Sequence, residues 1–250
     1  IIEKINKRTK AIMPVHWTGR VCNMDKIKFI ARKYNLKIIE DAAQGMGSYY
    51  KKAHAGSFSD VAAFSTHPLK NLNALGDGGF ITTNSKKIYT KIKLYRNHGM
   101  KKRDYVESYG VNSRLDVINA EILKMRLKKL KSINDKRRLN VNIYRENLDN
   151  KYIKIPEDKK NEINSYVMLL SQAENRDNLQ KYLSLNKIQS LVYYGTPLHL
   201  HKATKKLGYK RGSLPMSEKL ATKVLALPHH QNLSKEQILY ACKKINSFYN

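Results

Sequence analysis

Short apolar runs alternate with amphipathic stretches along the first part of the chain. The run "AIMPV" at residues 11–15 is typical of a short buried strand, and residues 24–35 place apolar side chains on one face at the spacing of a helix. Residues 36–44, "LKIIEDAAQ", form a second apolar strand that ends in acidic and polar positions. This order predicts a βαβ unit, in which two parallel strands are joined by a right-handed crossover.

Two more apolar runs follow a polar turn. Residues 61–66, "VAAFST", predict another buried strand. Residues 78–84, "GGFITTN", predict a further strand, which follows so closely that we expect it to run antiparallel. Residues 85–99 have the pattern of a helix that ends at Gly99. The first part of the chain is therefore expected to form a mostly parallel sheet with helices.

The second part of the chain has a different pattern. Residues 114–148 predict one long helix that becomes more polar along its length. New strand and helix patterns begin near residue 152, and the chain ends on an amphipathic helix from residue 234. We therefore expect an α/β fold with a large domain over residues 1–135 and a smaller α+β domain over residues 136–250.

The charge of the chain raises a question about partners. Lysine and arginine total 48 against 20 acidic residues, which gives a net charge of +28 and makes nucleic acids, membranes and small anions candidates. The basic residues are spread over every segment, which favours solvated helix faces and a compositional bias. No apolar stretch approaches the roughly 20 residues that cross a bilayer. A basic nucleic-acid-binding protein stays a distant alternative, because no known RNA-binding pattern accompanies the charge.

The two cysteines bear on the compartment. Cys22 and Cys242 are far apart and lack the spacing of a metal site. We therefore expect reduced thiols, a cytoplasmic protein and no metal ion.

Polar side chains follow two of the predicted strands. Asp41 and Gln44 come after "LKII", and Ser65, His67 and Lys70 come after "VAAF". Ligands bind at the carboxyl ends of the parallel strands in open α/β sheets. Both clusters are therefore expected to face one crevice.

These residue types meet the requirements of pyridoxal 5′-phosphate (PLP). A lysine desolvated at a strand end has a lowered pKa and can form a Schiff base with an aldehyde. A carboxylate such as Asp41 keeps a heteroaromatic nitrogen protonated, and a hydroxyl such as that of Ser65 can hold a phosphate together with backbone N–H groups. Each residue also has a structural interpretation: Asp41 as a helix cap, Ser65 as a buried strand hydroxyl and Lys70 as a surface turn residue.

The order of these residues resembles a known family. The stretch "IIEDAAQGMGSYYKKAHAGSFSDVAAFSTHPLKNLNALGDGGFITTN" is similar to the core of the DegT/DnrJ/EryC1/StrS family of PLP-dependent nucleotide-sugar aminotransferases. That core has an E-D-A-A-Q strand end, G-S-F-x-D, F-S-x-x-P-x-K-N and G-D/E-G-G. Further similar segments are "AIMPVHWTGRVCNMD", "LYRNHGM", "YGVNSRLDVINAEIL", "TPLHLHKA" and "LPMSEKLATKVLALPHH". The resemblance implies the aspartate-aminotransferase-like PLP fold type I, with a mostly parallel sheet.

The resemblance also implies roles for five residues. Lys70 lies at the position of the Schiff-base lysine, which acts as the catalytic base and acid. Asp41 lies at the partner of the pyridinium nitrogen, and Gln44 at the residue beside the phenolic oxygen of the cofactor. Ser65 matches the phosphate-binding serine. Asn112 matches an asparagine that reaches the cofactor phosphate of the neighbouring subunit, which implies a homodimer with shared active sites.

Six further residues are candidates for the rim of the site. His16, His98 and Arg114 match family positions near it. His67, His199 and His230 are interpreted equally well as structural histidines or as residues at the substrate rim.

The activity that the resemblance implies is transfer of an amino group. Glutamate would be the donor and a keto group of a nucleotide-linked sugar the acceptor, in the synthesis of precursors for surface polysaccharides or other glycans. A branch of the family that removes a sugar oxygen has histidine at the lysine position, so Lys70 favours transamination. A related PLP sugar dehydratase and an inactive fragment stay open as alternatives.

The resemblance finally indicates an N-terminally truncated chain. The first third of family members supplies a second phosphate-binding helix start and an aromatic residue that stacks on the cofactor ring. This sequence opens on "IIEKINKRTKAIMPVHW", without either feature. We therefore expect the 250-residue chain to bind PLP weakly, to aggregate through exposed apolar surface, or both.

Overall fold

The computed structural model describes residues 1–250 and divides them into two compact units. The first unit comprises residues 1–134 and 158–167, and the second comprises residues 135–157 and 168–250. Residues 158–167 thus belong to the first unit, although they follow the boundary near residue 135 that the sequence predicts.

The chain contains twelve strands and seven α-helices, besides four short 3₁₀-helices. The strands are β1 (Ala11–Ile12), β2 (Lys37–Asp41), β3 (Tyr49–Tyr50), β4 (Ala53–His54), β5 (Val61–Ser65), β6 (Gly79–Thr82), β7 (Met100–Lys102), β8 (Tyr105–Val106), β9 (Ile153–Lys154), β10 (Glu162–Ile163), β11 (Leu169–Ala173) and β12 (Val224–Leu227). The α-helices are α1 (Met24–Lys33), α2 (Lys86–Tyr95), α3 (Val117–Leu127), α4 (Leu130–Asn147), α5 (Arg176–Leu185), α6 (Pro215–Lys223) and α7 (Lys235–Tyr249). No helix combines the length and the apolar character that a membrane span requires.

The central sheet of the first unit has the strand order β1-β2-β5-β6. The pairs β1–β2 and β2–β5 are parallel, whereas β6 runs antiparallel to β5. Asp41 at the end of β2 pairs with Ala63, and Ser65 at the end of β5 pairs with Gly79. The predicted βαβ unit and the antiparallel strand after it are confirmed.

Local signals in the sequence explain why α1 forms the crossover between β1 and β2. Asn23 caps the helix by accepting the N–H of Lys26 at 3.1 Å, and basic residues in the last turn complement the helix dipole. The apolar face is buried in one core cluster, which contains Val21, Met24, Ile27, Ala31, Ile38, Tyr50 and Ala55. Burial of this face holds the two parallel strands in place, because apolar surface leaves water.

The long helix that the sequence predicts over residues 114–148 is two helices, since α3 ends at Leu127 and α4 begins at Leu130. The prediction of a single helix is wrong. No glycine or proline lies at the break, so the sequence contains none of the usual signals of a helix end there. Leu123 of α3 and Leu130 pack into a small cluster with Leu72 and Ala74, beside the segment that follows Lys70.

The second unit contains an antiparallel sheet with the order β12-β11-β9. Its core is mostly apolar, and the largest buried side chains are Tyr144, Ile153, Leu169, Leu179, Leu183, Leu225, Ile238 and Ile245. Helix α7 begins with a capping box, in which Ser234 and Gln237 satisfy each other's backbone N–H groups. The predicted amphipathic helix at the end of the chain is confirmed.

A buried ion pair joins β2 to the segment that follows β1 in the first unit. His16 Nε2 is 2.7 Å from Glu40 Oε2, and both side chains have no exposed surface. The Glu40 carboxylate also accepts the N–H groups of Gly56 at 2.7 Å and Phe58 at 2.9 Å. Burial lowers the pKa of His16, but hydrogen bonds with Cys22 and Glu40 outweigh burial and raise the pKa to about 9. Burial raises the pKa of Glu40, but its hydrogen bonds outweigh that effect and lower it.

We expect this pair to make stability depend on pH. Its histidine has a raised pKa, so the stabilisation is complete below pH 6.5 and is lost as the pH rises towards about 9. Its carboxylate has a lowered pKa, so that contribution is present above pH 4.5 and is lost in acid. Chemical denaturation should therefore show the free energy of unfolding falling between pH 6.5 and pH 9.

Glu40→Gln tests the origin of this dependence. Breaking a buried pair costs about 3 to 5 kcal/mol, and we expect the loss at pH 6 to lie in that range and the slope above pH 6.5 to flatten. Asp25→Asn, which removes an exposed pair with Lys51, is the control and should leave the slope unchanged. An unaltered slope in Glu40→Gln would assign the pH dependence to other groups.

Candidate functional site

The candidate site begins where β2 and β5 end. Asp41 is the last residue of β2, and Ser65 is the last residue of β5. The N–H of His16 donates to the carbonyl of Asp41 at 3.0 Å, and the N–H of Ala42 donates to the carbonyl of Ala63 at 2.9 Å. Backbone pairing therefore continues past the strands, and the side chains that follow project from one rigid edge of the sheet.

A tight turn after β5 carries Lys70. Ser65 Oγ accepts the N–H of His67 at 3.3 Å, and His67 Nδ1 accepts the N–H of Leu69 at 3.1 Å. The N–H of Lys70 donates to the carbonyl of His67 at 2.8 Å. These bonds place His67 at the centre of the turn. The sequence predicts His67 either as a structural histidine or as a residue at the substrate rim, and its hydrogen bonds in the turn are a structural role.

Lys70 and Asp41 interact electrostatically at this edge. Burial lowers the pKa of the Lys70 ammonium, and the negative charge of Asp41 acts in the opposite direction. A lowered pKa increases the fraction of neutral amine, which is the form that attacks a carbonyl or accepts a proton. The Nζ atom has no hydrogen-bond partner within the chain, so it is available for this chemistry.

Asp41 and Gln44 each have one polar group without a hydrogen-bond partner in the chain. Asp41 Oδ1 accepts the N–H of Ala43 at 3.1 Å, and Oδ2 has no partner within the chain. Gln44 Oε1 accepts the N–H of Thr18 at 2.5 Å, which leaves the hydrogens on Nε2 unpaired. Thr18 occupies the left-handed region with φ of 63°. A strained turn thus orients the side chain of Gln44.

The four residues Asp41, Gln44, Ser65 and Lys70 form what we term the strand-end cluster, and their unpaired groups fit PLP. The Lys70 amine can bond to an aldehyde, and Asp41 Oδ2 can accept the N–H of a protonated pyridine ring. The Gln44 amide can donate to a phenolic oxygen, and the Ser65 hydroxyl, which already accepts one bond, can donate to a phosphate. The chemistry of this donor set matches the cofactor group by group.

Three other predicted residues lie on a separate stretch. His98, Asn112 and Arg114 are exposed. The N–H of His98 donates to the carbonyl of Val111 at 3.0 Å, and Arg114 Nε donates to Asn112 Oδ1 at 3.0 Å. The structure brings these three residues together, but no hydrogen bond or ion pair joins them to the strand-end cluster.

The remaining predicted histidines have structural surroundings. His16 is fully buried against Glu40, so its ring lies in the core of the first unit and not on an open rim. His199 and His230 belong to the second unit. His199 Nε2 is 2.9 Å from Glu218 Oε1, and His230 is exposed, with a pKa that partial burial lowers.

Sequence reasoning missed three residues that surround the strand-end cluster. Thr18 orients Gln44, and Asn71 follows Lys70. Ser165 contacts the main chain of Gln44 and the side chain of Asn71. The position of Asn71 beside Lys70 and the glycine that follows Thr18 were the available signals. No sequence pattern connects Ser165 to residues that precede it by about a hundred positions.

The fold defines the chain as an α/β protein of the aminotransferase class. The crystal structure of S. venezuelae DesV, which was solved in complex with a ketimine intermediate, superposes on 98% of this chain with a TM-score of 0.94 and 34% sequence identity. The predicted fold class is therefore confirmed. The sequence profile of the DegT/DnrJ/EryC1/StrS aminotransferase family matches residues 1–246, and the chain belongs to this family.

Two relatives illustrate the family around this chain. A dTDP-3-amino-3,6-dideoxy-alpha-D-galactopyranose transaminase from Aneurinibacillus thermoaerophilus is 39% identical over 248 residues, which are 99% of this chain and 68% of the relative. A UDP-N-acetyl-3-dehydro-alpha-D-glucosamine 3-aminotransferase from Acidithiobacillus ferrooxidans is 36% identical over 234 residues, which are 94% of this chain and 63% of the relative. The chain also covers 66% of DesV, so it spans about two thirds of the length of these proteins.

Proposed function

We propose that this chain carries the catalytic residues of a PLP-dependent sugar aminotransferase, which moves an amino group from glutamate to a keto group of a nucleotide-linked sugar. The observation that carries the proposal is the set of four unpaired groups in the strand-end cluster, which match PLP one by one. The names of the two relatives, which act on dTDP-linked and UDP-linked sugars, support the acceptor class.

Each residue of the strand-end cluster would have its own role in the reaction. When bound, PLP supplies an electron sink that stabilises negative charge on the carbon atom that loses its proton. Lys70 would hold the cofactor and would then move a proton at its Nζ atom, for which its lowered pKa suits it. Asp41 Oδ2 would keep a proton on the ring nitrogen, while Gln44 and Ser65 would orient the ring and the phosphate. The presence of lysine at position 70, and not histidine, supports amino transfer over removal of a sugar oxygen.

The partners that we propose extend the same resemblance. Asn112 would reach the cofactor phosphate of a second subunit, so the active enzyme would be a homodimer. The exposure of Asn112 and of Arg114 beside it supports this assignment, because both side chains are available to another chain. Two free cysteines support a reducing, cytoplasmic location.

The test is transfer of labelled nitrogen. The purified chain is supplied with a large excess of PLP, because weak binding is expected, together with ¹⁵N-glutamate and a panel of dTDP-linked and UDP-linked ketosugars, and mass spectrometry follows the label into the sugar. Both relatives are named for the 3-position, so 3-ketosugars form the first arm and 4-ketosugars the second. We expect labelled amino sugar from wild type and none from Lys70→Ala. Binding of PLP at Lys70 without transfer to any sugar would contradict the proposal.

A further inference from the structure

A short segment late in the first unit runs between the turns that carry the strand-end cluster. The N–H of Ser165 donates to the carbonyl of Gly19 at 3.2 Å, and the N–H of Val167 donates to the carbonyl of Thr18 at 3.0 Å. Residues 164–167, which we term the brace, are thereby attached to the turn whose N–H holds Gln44 Oε1. The domain boundary that the sequence predicts near residue 135 puts the brace in the other domain.

Ser165 also contacts the turn that contains Gln44. Its hydroxyl donates to the carbonyl of Gln44 at 3.1 Å, and its N–H lies 3.2 Å from Ser48 Oγ. The side chain is fully buried, so these polar groups have no access to water. Gln44 is therefore restrained twice: the brace holds its main chain, and Thr18 holds its side chain.

The brace is attached to the Lys70 turn through Asn71. Asn71 Nδ2 donates to the carbonyl of Ser165 at 2.7 Å and to Asn134 Oδ1 at 2.6 Å. The side chain of Asn71 is buried, with 4% exposure. Because Asn71 directly follows Lys70, these bonds limit how far the lysine turn can move away from the strand ends.

The packing around Ser165 leaves no room for a side chain at position 19. A Cβ atom on Gly19 would lie 2.3 Å from Ser165 Oγ and 2.9 Å from the nitrogen of Tyr166, and Gly19 has φ of +95°. Glycine is the residue that tolerates both this backbone conformation and this approach. The brace thus sits at a fixed distance from the Thr18 turn.

We propose that Ser165 is a positioning residue for the cofactor site. Its carbonyl fixes the Lys70 turn through Asn71, and its hydroxyl fixes the main chain of Gln44. The inference rests on the proposed function, since it concerns how the same cluster is held for PLP. It adds that a residue about a hundred positions away in the sequence, without contact to the four cluster side chains themselves, sets their spacing. Groups held by such supporting hydrogen bonds keep the geometry that binding and catalysis require.

The experiment compares two buried serines. Ser165→Ala removes the hydroxyl of the brace, and Ser171→Ala removes a buried hydroxyl that donates to the carbonyl of Leu225 at 2.9 Å in the second unit. Both variants lose one hydrogen bond to a carbonyl, and Ser165→Ala also loses the bond that Ser165 Oγ accepts from Ser48 Oγ at 2.9 Å, so both should unfold at a lower denaturant concentration. We expect Ser165→Ala alone to raise the dissociation constant of PLP about tenfold, the equilibrium equivalent of one hydrogen bond.

A second readout does not use the cofactor. In protein freed of PLP, the rate at which an amine reagent labels Lys70 is measured against pH by peptide mass spectrometry. We expect the midpoint to move to higher pH in Asn71→Leu, because the lysine turn then loses its bond to the Ser165 carbonyl and a looser turn hydrates the lysine, and to stay unchanged in Ser171→Ala. Asn71→Leu keeps the branched shape of the side chain and removes both of its N–H donors, whereas Ser165→Ala keeps the carbonyl and should move the midpoint less.

The outcomes separate the two proposals. The positioning role would be overturned if Ser165→Ala bound PLP as tightly as Ser171→Ala does, or if Asn71→Leu left the labelling profile of Lys70 unchanged. Failure of wild type to bind PLP in large excess would count against the proposed function, while the labelling profile of Lys70 would still decide whether the brace acts on it.

Discussion

Lys70→Arg should abolish amino transfer, with a loss of at least about 10³-fold, while leaving the fold intact. Arginine keeps the positive charge beside Asp41, but its guanidinium stays protonated and cannot attack an aldehyde or carry a proton between carbon atoms. The partly buried position and the lowered pKa of Lys70 are suited to those tasks, and both depend on the amine. Covalent attachment of PLP should be lost together with activity.

Two measurements check this expectation. Borohydride reduction followed by peptide mapping should find PLP on Lys70 in wild type and on no residue in Lys70→Arg. Lys37→Arg is the matched control, because Lys37 also lies beside an aspartate, with its Nζ 3.2 Å from Asp60 Oδ1, but is exposed at the opposite end of β2. If Lys70→Arg transferred nitrogen at a rate near that of wild type, the base would have to be another residue.

Asp41→Asn should lower the rate of amino transfer by about 10²-fold. The substitution keeps the size of the side chain and an oxygen that can accept the N–H of Ala43, so the strand end should stay folded. The amide removes the negative charge that would hold a proton on the ring nitrogen of the cofactor. It also removes the attraction that raises the pKa of Lys70, so that pKa should fall further below its ordinary value.

The measurement is the pH dependence of the rate, taken together with labelling of Lys70 in PLP-free protein. In Asp41→Asn, the midpoint of labelling should move to lower pH, which is opposite to the shift expected for Asn71→Leu. Asp60→Asn is the control, since Asp60 accepts the N–H of Ile38 at 3.0 Å and lies away from the cluster. A variant Asp41→Asn with full activity would remove Asp41 from the proposed mechanism.

Much of the first unit was predictable because its signals are local. The apolar runs around β2 and β5 and the amphipathic face of α1 identify a βαβ unit before any contact is known. Polar residues directly after those strands then mark the candidate site, since parallel strands end at one edge. The break between α3 and α4 escaped prediction, because neither glycine nor proline accompanies it.

The histidines show where sequence reasoning stops. His16 and His67 both lie in motifs near the candidate site, but the ring of His16 is buried against Glu40 and that of His67 organises the lysine turn. A motif identifies the neighbourhood of a residue along the chain. The direction of its side chain depends on partners that come from other segments, which periodicity and spacing do not describe.

The sequence by itself determined the βαβ unit, the placement of Asp41, Ser65 and Lys70 after its strands, and the family resemblance, because each depends on residues close together along the chain. The tertiary structure decided which groups of these residues remain unpaired, and that residues 164–167 brace the site from about a hundred positions away. The physical reason is that a hydrogen bond requires two groups to meet in space. Folding brings Ser165 to Gln44 and Asn71, and no pattern of neighbouring residues in the sequence indicates these contacts.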